Sequence, residues 1–158
     1  MERKLTAIMF TDIVGYSKIM STNEKRGLEL LDYQNELVLP IVQNFNGKIL
    51  KRMGDAFFVD FSSSINAIEC AVEIQKALKK HNTIKDFEEK LLLRIGLHIG
   101  DVFIKEGDLF GEGINVAARL EPLAEPGGIC MSQAFYESVK VKSDFSAVRI
   151  GDVALKNI

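Results

Sequence analysis

The sequence has few residues of the types that build disulfide frameworks and metal clusters. Its 158 residues include two cysteines, Cys70 and Cys130, and two histidines, His81 and His98. Both cysteines lie in apolar segments without a spacing signature, which predicts buried free thiols in a reducing compartment. The two histidines are too few and too far apart for a metal cluster. We expect His81 at the end of a helix and His98 in a strand.

An excess of either charge is also missing. The sequence has 20 Lys and Arg residues against 22 Asp and Glu residues, so its formal net charge is -2. This balance gives no basic surface for nucleic acid. There is no apolar run of transmembrane length and no signal peptide, so we expect a cytoplasmic protein or the cytosolic part of a larger, membrane-attached one. A composition of 47% hydrophobic and 27% charged residues favours one globular domain over residues 1–158.

The hydrophobic pattern predicts the element order β-α-β-β-α-β, followed by further elements. The predicted strands are 5–10, 48–52, 56–61, 91–100 continued by 102–104 after a glycine bulge, 129–131 and 145–155. The predicted helices are 23–45, a helix that follows residues 62–64 and ends near 81–82, 115–123 and 133–139. This order is that of an α+β, ferredoxin-like antiparallel sheet with C-terminal additions, in which the first and third strands are neighbours.

Local signals predict how the helices begin and continue. Ser17 or Ser21 is expected to cap the helix after the first strand, and one of the serines 62–64 is expected to cap the next long helix. Pro40 interrupts the apolar pattern of the first long helix. It either kinks this helix or begins a second segment.

The segment Ala7–Ser17 predicts an apolar strand that ends at Asp12, a turn at Gly15 and the start of a helix. A carboxylate beside free backbone N–H groups can hold a hard cation and phosphate oxygens. Asp55 opens the third strand, so it should meet Asp12 at one edge of the sheet. Two such carboxylates can bind two divalent cations about 3.5–4 Å apart, the spacing used for in-line phosphoryl displacement. The alternative is a pair of turn-forming aspartates.

Two further residue pairs could contact a nucleotide. Asn115 and Arg119 are four residues apart on a predicted helix, so an amide and a guanidinium share one face and suit a phosphate ligand. The alternative is a solvated polar face. Lys51 and Asp108 could read an adenine edge, because an ammonium donates to N1 and a carboxylate accepts from the exocyclic amine. The alternative here is an exposed lysine and a turn aspartate.

Three spaced motifs together resemble the class III nucleotidyl cyclase catalytic domain of the bacterial type. They are Phe10–Ser17, Lys51–Asp55 and Gly107–Glu121, and they cover almost the whole chain in the family's order. The resemblance implies the class III cyclase fold and an adenylate cyclase, a lyase that converts ATP to 3′,5′-cyclic AMP and pyrophosphate. The family usually continues for one more strand beyond Ile158, so we expect the last strand to be missing.

The same resemblance implies a role for each matching residue. The metal-binding positions, for two Mg²⁺ or Mn²⁺ ions, are Asp12, Ile13 and Asp55. The catalytic positions, which orient the ribose and stabilise the transition state, are Asn115 and Arg119. The substrate-binding positions are the adenine-selecting Lys51 and Asp108, the phosphate-binding Gly15, Tyr16 and Ser17, and Lys156 near the triphosphate.

In the family the site forms between two catalytic domains, so the resemblance implies a head-to-tail homodimer with two shared sites. No nucleic-acid partner and no direct membrane contact are expected for this segment. Guanylyl-specific relatives typically carry Glu at the position of Lys51 and Cys or a small residue at that of Asp108, so this pair favours ATP. A guanylyl or mixed-specificity cyclase is the alternative enzyme, and a non-catalytic nucleotide-binding dimerisation module is the alternative class. The Gly-Gly-Asp/Glu-Glu-Phe hairpin of diguanylate cyclases is absent from the sequence.

Overall fold

A computed structural model describes residues 2–84 and 90–141. The strands are β1 (Glu2–Ile13), β2 (Lys48–Met53), β3 (Ala56–Phe61), β4 (Leu93–Lys105), β5 (Asp108–Phe110) and β6 (Ile129–Met131). The helices are α1 (Tyr16–Thr22), α2 (Glu24–Asn44), α3 (Ser64–Thr83), α4 (Glu112–Leu120) and α5 (Gln133–Val139). A 3-10 turn, Glu121–Leu123, follows α4. The strand predicted over 145–155 and the predicted site residue Lys156 lie outside the described residues.

The six strands form one sheet in the order β2-β3-β1-β4-β5, and β6 pairs with β4. The pairs along β2 to β5 are antiparallel, whereas β6 runs parallel to β4. Strand β1 therefore lies in the middle, with β3 on one side and β4 on the other. This topology confirms the predicted α+β, ferredoxin-like sheet with adjacent first and third strands.

Side chains alternate along β1 between two cores on opposite faces of the sheet. Ala7 and Met9 pack into the larger core with helices α2 and α3, and Ile8 and Phe10 pack into a smaller core with α4. Because both faces are covered, the run from Thr6 to Thr11 is buried without interruption. Burial on both faces explains why this strand reads as a continuous apolar segment.

Strand β1 is longer than the sequence pattern predicted, whereas β4 lies within two residues of the predicted bounds at each end. Their antiparallel register extends from Glu2 opposite Ile104 to Ile13 opposite Leu93. The predicted glycine bulge in β4 is wrong, because this register runs without a shift and Gly100 pairs with Thr6. The physical reason for the glycine is helix packing. A Cβ on Gly100 would lie 3.1 Å from the Cα of Gly113 in α4.

The start of the first helices differs from the prediction. Gly15, with φ 73, occupies the N-cap of α1, and Asn23 caps α2 by accepting a hydrogen bond from the Arg26 N–H. Neither Ser17 nor Ser21 caps a helix; Ser21 donates to the carbonyl oxygen of Lys18 instead. The left-handed glycine matters because it lets the chain turn sharply from β1 into α1.

Later helix boundaries follow their local signals more closely. Pro40 lies inside α2 and does not end it, and Ser63 caps α3 by accepting from the Asn66 N–H. Helix α4 begins at Glu112, three residues before the prediction, and passes into the 3-10 turn at Glu121. Pro122 within this turn has no N–H to donate to the preceding helical turn, which stops the α-helix.

The cysteines and histidines are placed as predicted. Cys70 and Cys130 are buried and free, and burial raises the pKa of the Cys70 thiol to about 12. His81 lies in the last turn of α3, where its ring centroid is 4.2 Å from that of Tyr33. His98 lies in β4. Within residues 2–84 and 90–141, no helix has the length and hydropathy to cross a membrane.

Helix α4 lies close against β4 at Gly96. A Cβ on this residue would lie 2.7 Å from the Ala117 carbonyl oxygen and 2.8 Å from the Glu121 backbone nitrogen. Both contacts are with backbone, which cannot rotate away as a side chain can. Gly96 therefore fixes how near the C-terminal end of α4 comes to the sheet.

We expect Gly96→Ala to lower the free energy of unfolding by about 1–3 kcal/mol, because the added methyl group pushes α4 off β4. Urea denaturation followed by circular dichroism measures this change. Gly107→Asn is the control, since no heavy atom lies within 4 Å of its Cβ position and asparagine tolerates the local φ of +79. Equal stability of the Gly96→Ala and wild-type proteins would contradict the proposed close packing.

Candidate active site

Strands β1 and β3 bring Asp12 and Asp55 to the same end of the sheet. Thr11 pairs with Phe57 in the antiparallel register, and Asp55 Oδ2 accepts a hydrogen bond of 2.7 Å from the Ile13 N–H. Burial raises the pKa of Asp55, and the neighbouring charge of Asp12 acts in the same direction. The two carboxylates that the sequence singled out are therefore close enough to interact.

The predicted phosphate-binding residues follow Asp12 directly. The Val14 N–H donates to the Leu92 carbonyl oxygen at 2.8 Å, which holds the end of β1 against the chain leading into β4. Gly15 then turns the chain, and Tyr16 and Ser17 form the first turn of α1. The backbone N–H groups at this helix start have no carbonyl partner within the helix. They lie next to the end of β1 that carries Asp12.

Two charged residues at this end of the sheet had no role assigned from the sequence. Arg94 lies opposite Asp12 in the β1–β4 register, and its Nε donates to the Ala124 carbonyl oxygen at 3.0 Å. Glu121, at the start of the 3-10 turn, is only 4% exposed. Burial first, and then the interaction with Asp12, raise the pKa of Glu121 to about 8, although the charge of Arg94 acts in the opposite direction.

Glu121 and Arg94 differ in whether the sequence alone could have indicated a role for them. Glu121 directly follows the helix of Asn115 and Arg119 in sequence, so its position next to a candidate catalytic helix was visible. Arg94 stands beside Asp12 only because β1 and β4 pair in this register. No local pattern encodes that register, so Arg94 could not be found from local sequence alone.

Lys51 and Asp108 form an ion pair, with 3.0 Å between Nζ and Oδ1. Their strands, β2 and β5, lie at opposite edges of the sheet. A flat sheet with strands about 4.8 Å apart would separate these edges by roughly 19 Å, so the sheet must curl to bring the side chains together. The hydrogen bond from Lys51, aided by one from the Leu109 N–H, lowers the pKa of Asp108.

Asn115 and Arg119 lie on the exposed stripe of α4. The opposite side of the helix is buried, including Ile114 and Ala117 in the smaller core. The helical spacing thus sends an amide and a guanidinium outward together. Both are exposed in the single chain.

The Asp12–Asp55 pair is chemically suited to a hard cation, because carboxylate oxygens are the ligands that Mg²⁺ prefers. Among residues 2–84 and 90–141, no group of three or more His, Cys, Asp or Glu side chains forms a preset metal cluster. Mg²⁺ is commonly held by one or two carboxylates and completed by water and substrate phosphates. The arrangement therefore fits a cation that binds together with a phosphate-bearing ligand.

The fold and this site can be compared with known proteins. The chain matches the model of the adenylate and guanylate cyclase catalytic domain over residues 2–157 and belongs to that family. Members of the family are generally metal-dependent. The match agrees with the resemblance found in the sequence motifs.

Some relatives of this chain are named adenylate cyclases and others are named guanylate cyclases. A Rhizobium meliloti (strain 1021) protein provisionally named adenylate cyclase 3 is 40% identical over 157 residues, covering 99% of this chain. Receptor-type guanylate cyclase gcy-28 of Caenorhabditis elegans is 28% identical over 166 residues, covering 94% of this chain. The chain spans only 27% and 13% of the lengths of these two proteins.

The structural comparison gives the same family. The crystal structure of an adenylate/guanylate cyclase/hydrolase from Silicibacter pomeroyi superimposes with a TM-score of 0.92 at 37% identity. The alignment covers 99% of this chain and 92% of that one.

We expect Lys51→Gln to raise the pKa of Asp108 toward its ordinary value, because the hydrogen bond and the positive charge are both lost. Carboxyl chemical shifts followed by NMR across an acid titration measure this change. Lys48→Gln, on the same strand, is the matched control and should leave the pKa of Asp108 unchanged. An unchanged Asp108 titration in Lys51→Gln would mean that the pair does not form in solution.

The lowered pKa of Asp108 also determines how the contribution of the Lys51–Asp108 pair to folding stability depends on pH. The pKa of Asp108 is lower in the folded state, so the pair's contribution to stability is present above the ordinary aspartate pKa. It is lost as the pH falls through the folded-state pKa. Because both groups are exposed, solvent screening keeps this contribution small.

Proposed function

We propose that the domain is an adenylyl cyclase that converts ATP to 3′,5′-cyclic AMP and pyrophosphate. The contact between Lys51 and Asp108 carries this proposal, since it offers a donor and an acceptor 3.0 Å apart on an exposed surface. An adenine can receive a hydrogen bond at N1 from the ammonium and donate one from its exocyclic amine to the carboxylate. The relative named as an adenylate cyclase supports the same substrate.

Asp12 and Asp55 are the proposed holders of two divalent cations, Mg²⁺ or Mn²⁺. Ile13, whose N–H donates to Asp55, would contribute its carbonyl oxygen, since carbonyl oxygens bind hard cations and its side chain is apolar. When bound, such cations lower the pKa of an attacking hydroxyl, here the ribose 3′-hydroxyl, and neutralise charge on the leaving pyrophosphate. Within the chain, Asp55 is held by the Ile13 N–H and by its position at the start of β3.

The remaining residues act on the nucleotide itself. Arg119 provides several N–H donors for the charge that grows on the α-phosphate, and Asn115 on the same helix face orients the ribose. The backbone N–H groups of Gly15, Tyr16 and Ser17 bind the β- and γ-phosphates, as helix starts commonly do. The proposed position of Lys156 near the triphosphate rests on the sequence resemblance alone.

The proposed active form is a head-to-tail homodimer with two shared sites. Asp12 and Asp55 come from one chain, whereas the nucleotide-reading residues Lys51 and Asp108 and the α4 pair come from the other. The exposure of Lys51 and Asp108, at 40% and 54% of their side chains, supports a site that a second chain completes. We place this reaction in the cytoplasm, without a nucleic-acid partner, and assign it to one catalytic domain over residues 1–158.

We expect the purified protein to form cyclic AMP from ATP in the presence of Mn²⁺ or Mg²⁺. Its specific activity should rise with protein concentration, because dilution dissociates a weak dimer. Chromatographic detection of both cyclic nucleotides, with ATP and GTP supplied separately, measures activity and specificity together. Cyclic GMP formed from GTP in equal or greater yield would identify a guanylyl or mixed-specificity enzyme. No product at any concentration would favour a nucleotide-binding module.

Mixing two inactive variants tests the shared site. Asp12→Ala impairs the cation-binding half of the shared site, and Asn115→Ala impairs the nucleotide-binding half. Only a dimer that contains one chain of each variant therefore has one intact site. Random pairing at equal concentrations should restore about one quarter of the wild-type specific activity. Asp12→Ala mixed with Asp55→Ala is the control and should stay inactive, since both changes impair the same half. If the first mixture is as inactive as this control, each site is built within one chain.

A further inference from the structure

His98 is a buried histidine that lies where β4 meets α4 and the turn into α5. It is 6% exposed. Its Nδ1 lies 2.7 Å from the Oγ of Ser132, which caps α5 by accepting a hydrogen bond from the Phe135 N–H. Its Nε2, in contrast, is buried without a hydrogen-bond partner. A buried polar atom without a partner costs folding free energy, so packing alone does not favour a histidine at this position.

The unpartnered Nε2 lies beside the first turn of α4. A Cβ on Gly100 would lie 2.9 Å from this nitrogen and 3.1 Å from the Cα of Gly113, so glycine leaves the room that the ring edge occupies. Glu112 is the first residue of α4, and its Oε1 lies 3.8 Å from Nε2. The Glu112 side chain is 64% exposed and is free to rotate. A movement of about 1 Å would bring the two atoms to hydrogen-bond distance.

The titratable groups nearest to His98 come from α4 and β6. Glu112 on α4 raises the pKa of the ring. Cys130 on β6 lies on the same face of the sheet, and because burial raises the pKa of its thiol it stays neutral. On β1 the residue opposite His98 is the apolar Ile8. Charged residues of the surrounding elements that interact with other groups are Lys4 with Asp60, Arg3 with Asp101, Arg94 with the Ala124 carbonyl oxygen, Glu121 with Asp12, and Glu137 with Lys140.

Protonation changes what the His98 ring can donate. Burial has the largest effect on His98 and lowers its pKa, whereas Glu112 raises it. The ring is therefore neutral near pH 7 and takes up a proton as the pH falls below the ordinary histidine value of about 6.5. A neutral ring donates from one nitrogen, but a protonated ring donates from both. Protonated His98 can thus donate to Ser132 from Nδ1 and to the Glu112 carboxylate from Nε2.

We propose that His98 and Glu112 form a proton-dependent latch between β4 and the first turn of α4. A proton taken up from solvent by the His98 ring draws the Glu112 carboxylate onto Nε2 and ties the start of the helix to the strand. The latch itself does not depend on the proposed function. Its consequence for catalysis does, because α4 is the helix that carries the proposed catalytic residues Asn115 and Arg119.

Glu112 also acts on α4 in a way that does not involve His98. An acidic residue in the first turn of a helix interacts favourably with the positive end of the helix dipole. This interaction does not change when His98 takes up a proton. The pH dependence of the effect of Glu112 therefore distinguishes the latch from a helix-end interaction.

The experiment follows the histidine rings of the whole protein by NMR from about pH 8 to about pH 5, without nucleotide or metal. The chain has two histidines, and His81 in the last turn of α3 is the internal reference. The proteins compared are the wild type, Glu112→Gln and the exposed control Glu125→Gln. Hydrogen exchange of the Asn115 amide, which donates to the Gly111 carbonyl oxygen at the start of α4, is measured at each pH.

We expect Glu112→Gln to weaken proton binding by His98 about two- to fivefold, the range for an ion pair with an exposed partner. His81 should titrate as in the wild type, and Glu125→Gln should change neither ring. The ratio of Asn115 exchange rates, Glu112→Gln over wild type, should rise about two- to fivefold as the pH falls through the His98 midpoint. It rises because Glu112 restrains α4 through His98 only when the ring is protonated.

Three results would overturn this inference. Unchanged proton binding by His98 in Glu112→Gln would mean that the two side chains do not interact. A ring that is still neutral at about pH 5 would mean that the fold does not allow His98 to take up the proton. An exchange ratio that is equal on both sides of the midpoint would mean that Glu112 acts only at the helix end. Absence of cyclase activity would contradict the proposed function and not the latch, because these measurements use neither nucleotide nor metal.

Discussion

The antiparallel pairing of β1 with both β3 and β4 is the constraint on which the rest of the structure depends. On the β3 side it brings Asp55 to the Ile13 N–H, and on the β4 side it places Arg94 opposite Asp12. The backbone hydrogen bonds between these strands therefore fix the positions of Asp12, Asp55 and Arg94 relative to one another. Burial on both faces of β1 makes a register slip costly, since one residue of slip exchanges the two cores.

Close packing of α4 on β4 is the second requirement. Gly96 and Gly100 on the strand and Gly113 on the helix leave the space that this approach needs; a Cβ on Gly113 would lie 2.7 Å from the Asp101 carbonyl oxygen. The helical repeat then sends Asn115 and Arg119 outward, while the turn after α4 carries Glu121 inward. Helix α4 therefore carries the two exposed groups that are proposed to bind a nucleotide, and the turn after it carries a buried group near the carboxylates.

Local sequence was sufficient for the type and order of most of the described elements, although it predicted no strand at Asp108–Phe110. The apolar run ending at Asp12, the Gly54-Asp55 turn and the periodicity of α3 each report a local backbone preference, and these elements form as predicted. The residues Asp12, Asp55, Lys51 and Asp108 could be chosen because their chemical types and spacing match a nucleotide and its metal ions. The length of β1 and the helix caps Gly15 and Asn23 could not be predicted, because they depend on strand pairing and on turn geometry.

The sequence by itself determined which chemical groups are present and which elements carry them. Only the tertiary structure decided which groups meet. Lys51 and Asp108 lie on opposite edge strands, and the curl of the sheet brings them to 3.0 Å. Glu121 reaches Asp12 through the gap left by Gly96, and Arg94 reaches it through the β1–β4 register. These contacts join residues far apart in sequence, so they follow from sheet twist, strand register and helix packing, which no local pattern encodes.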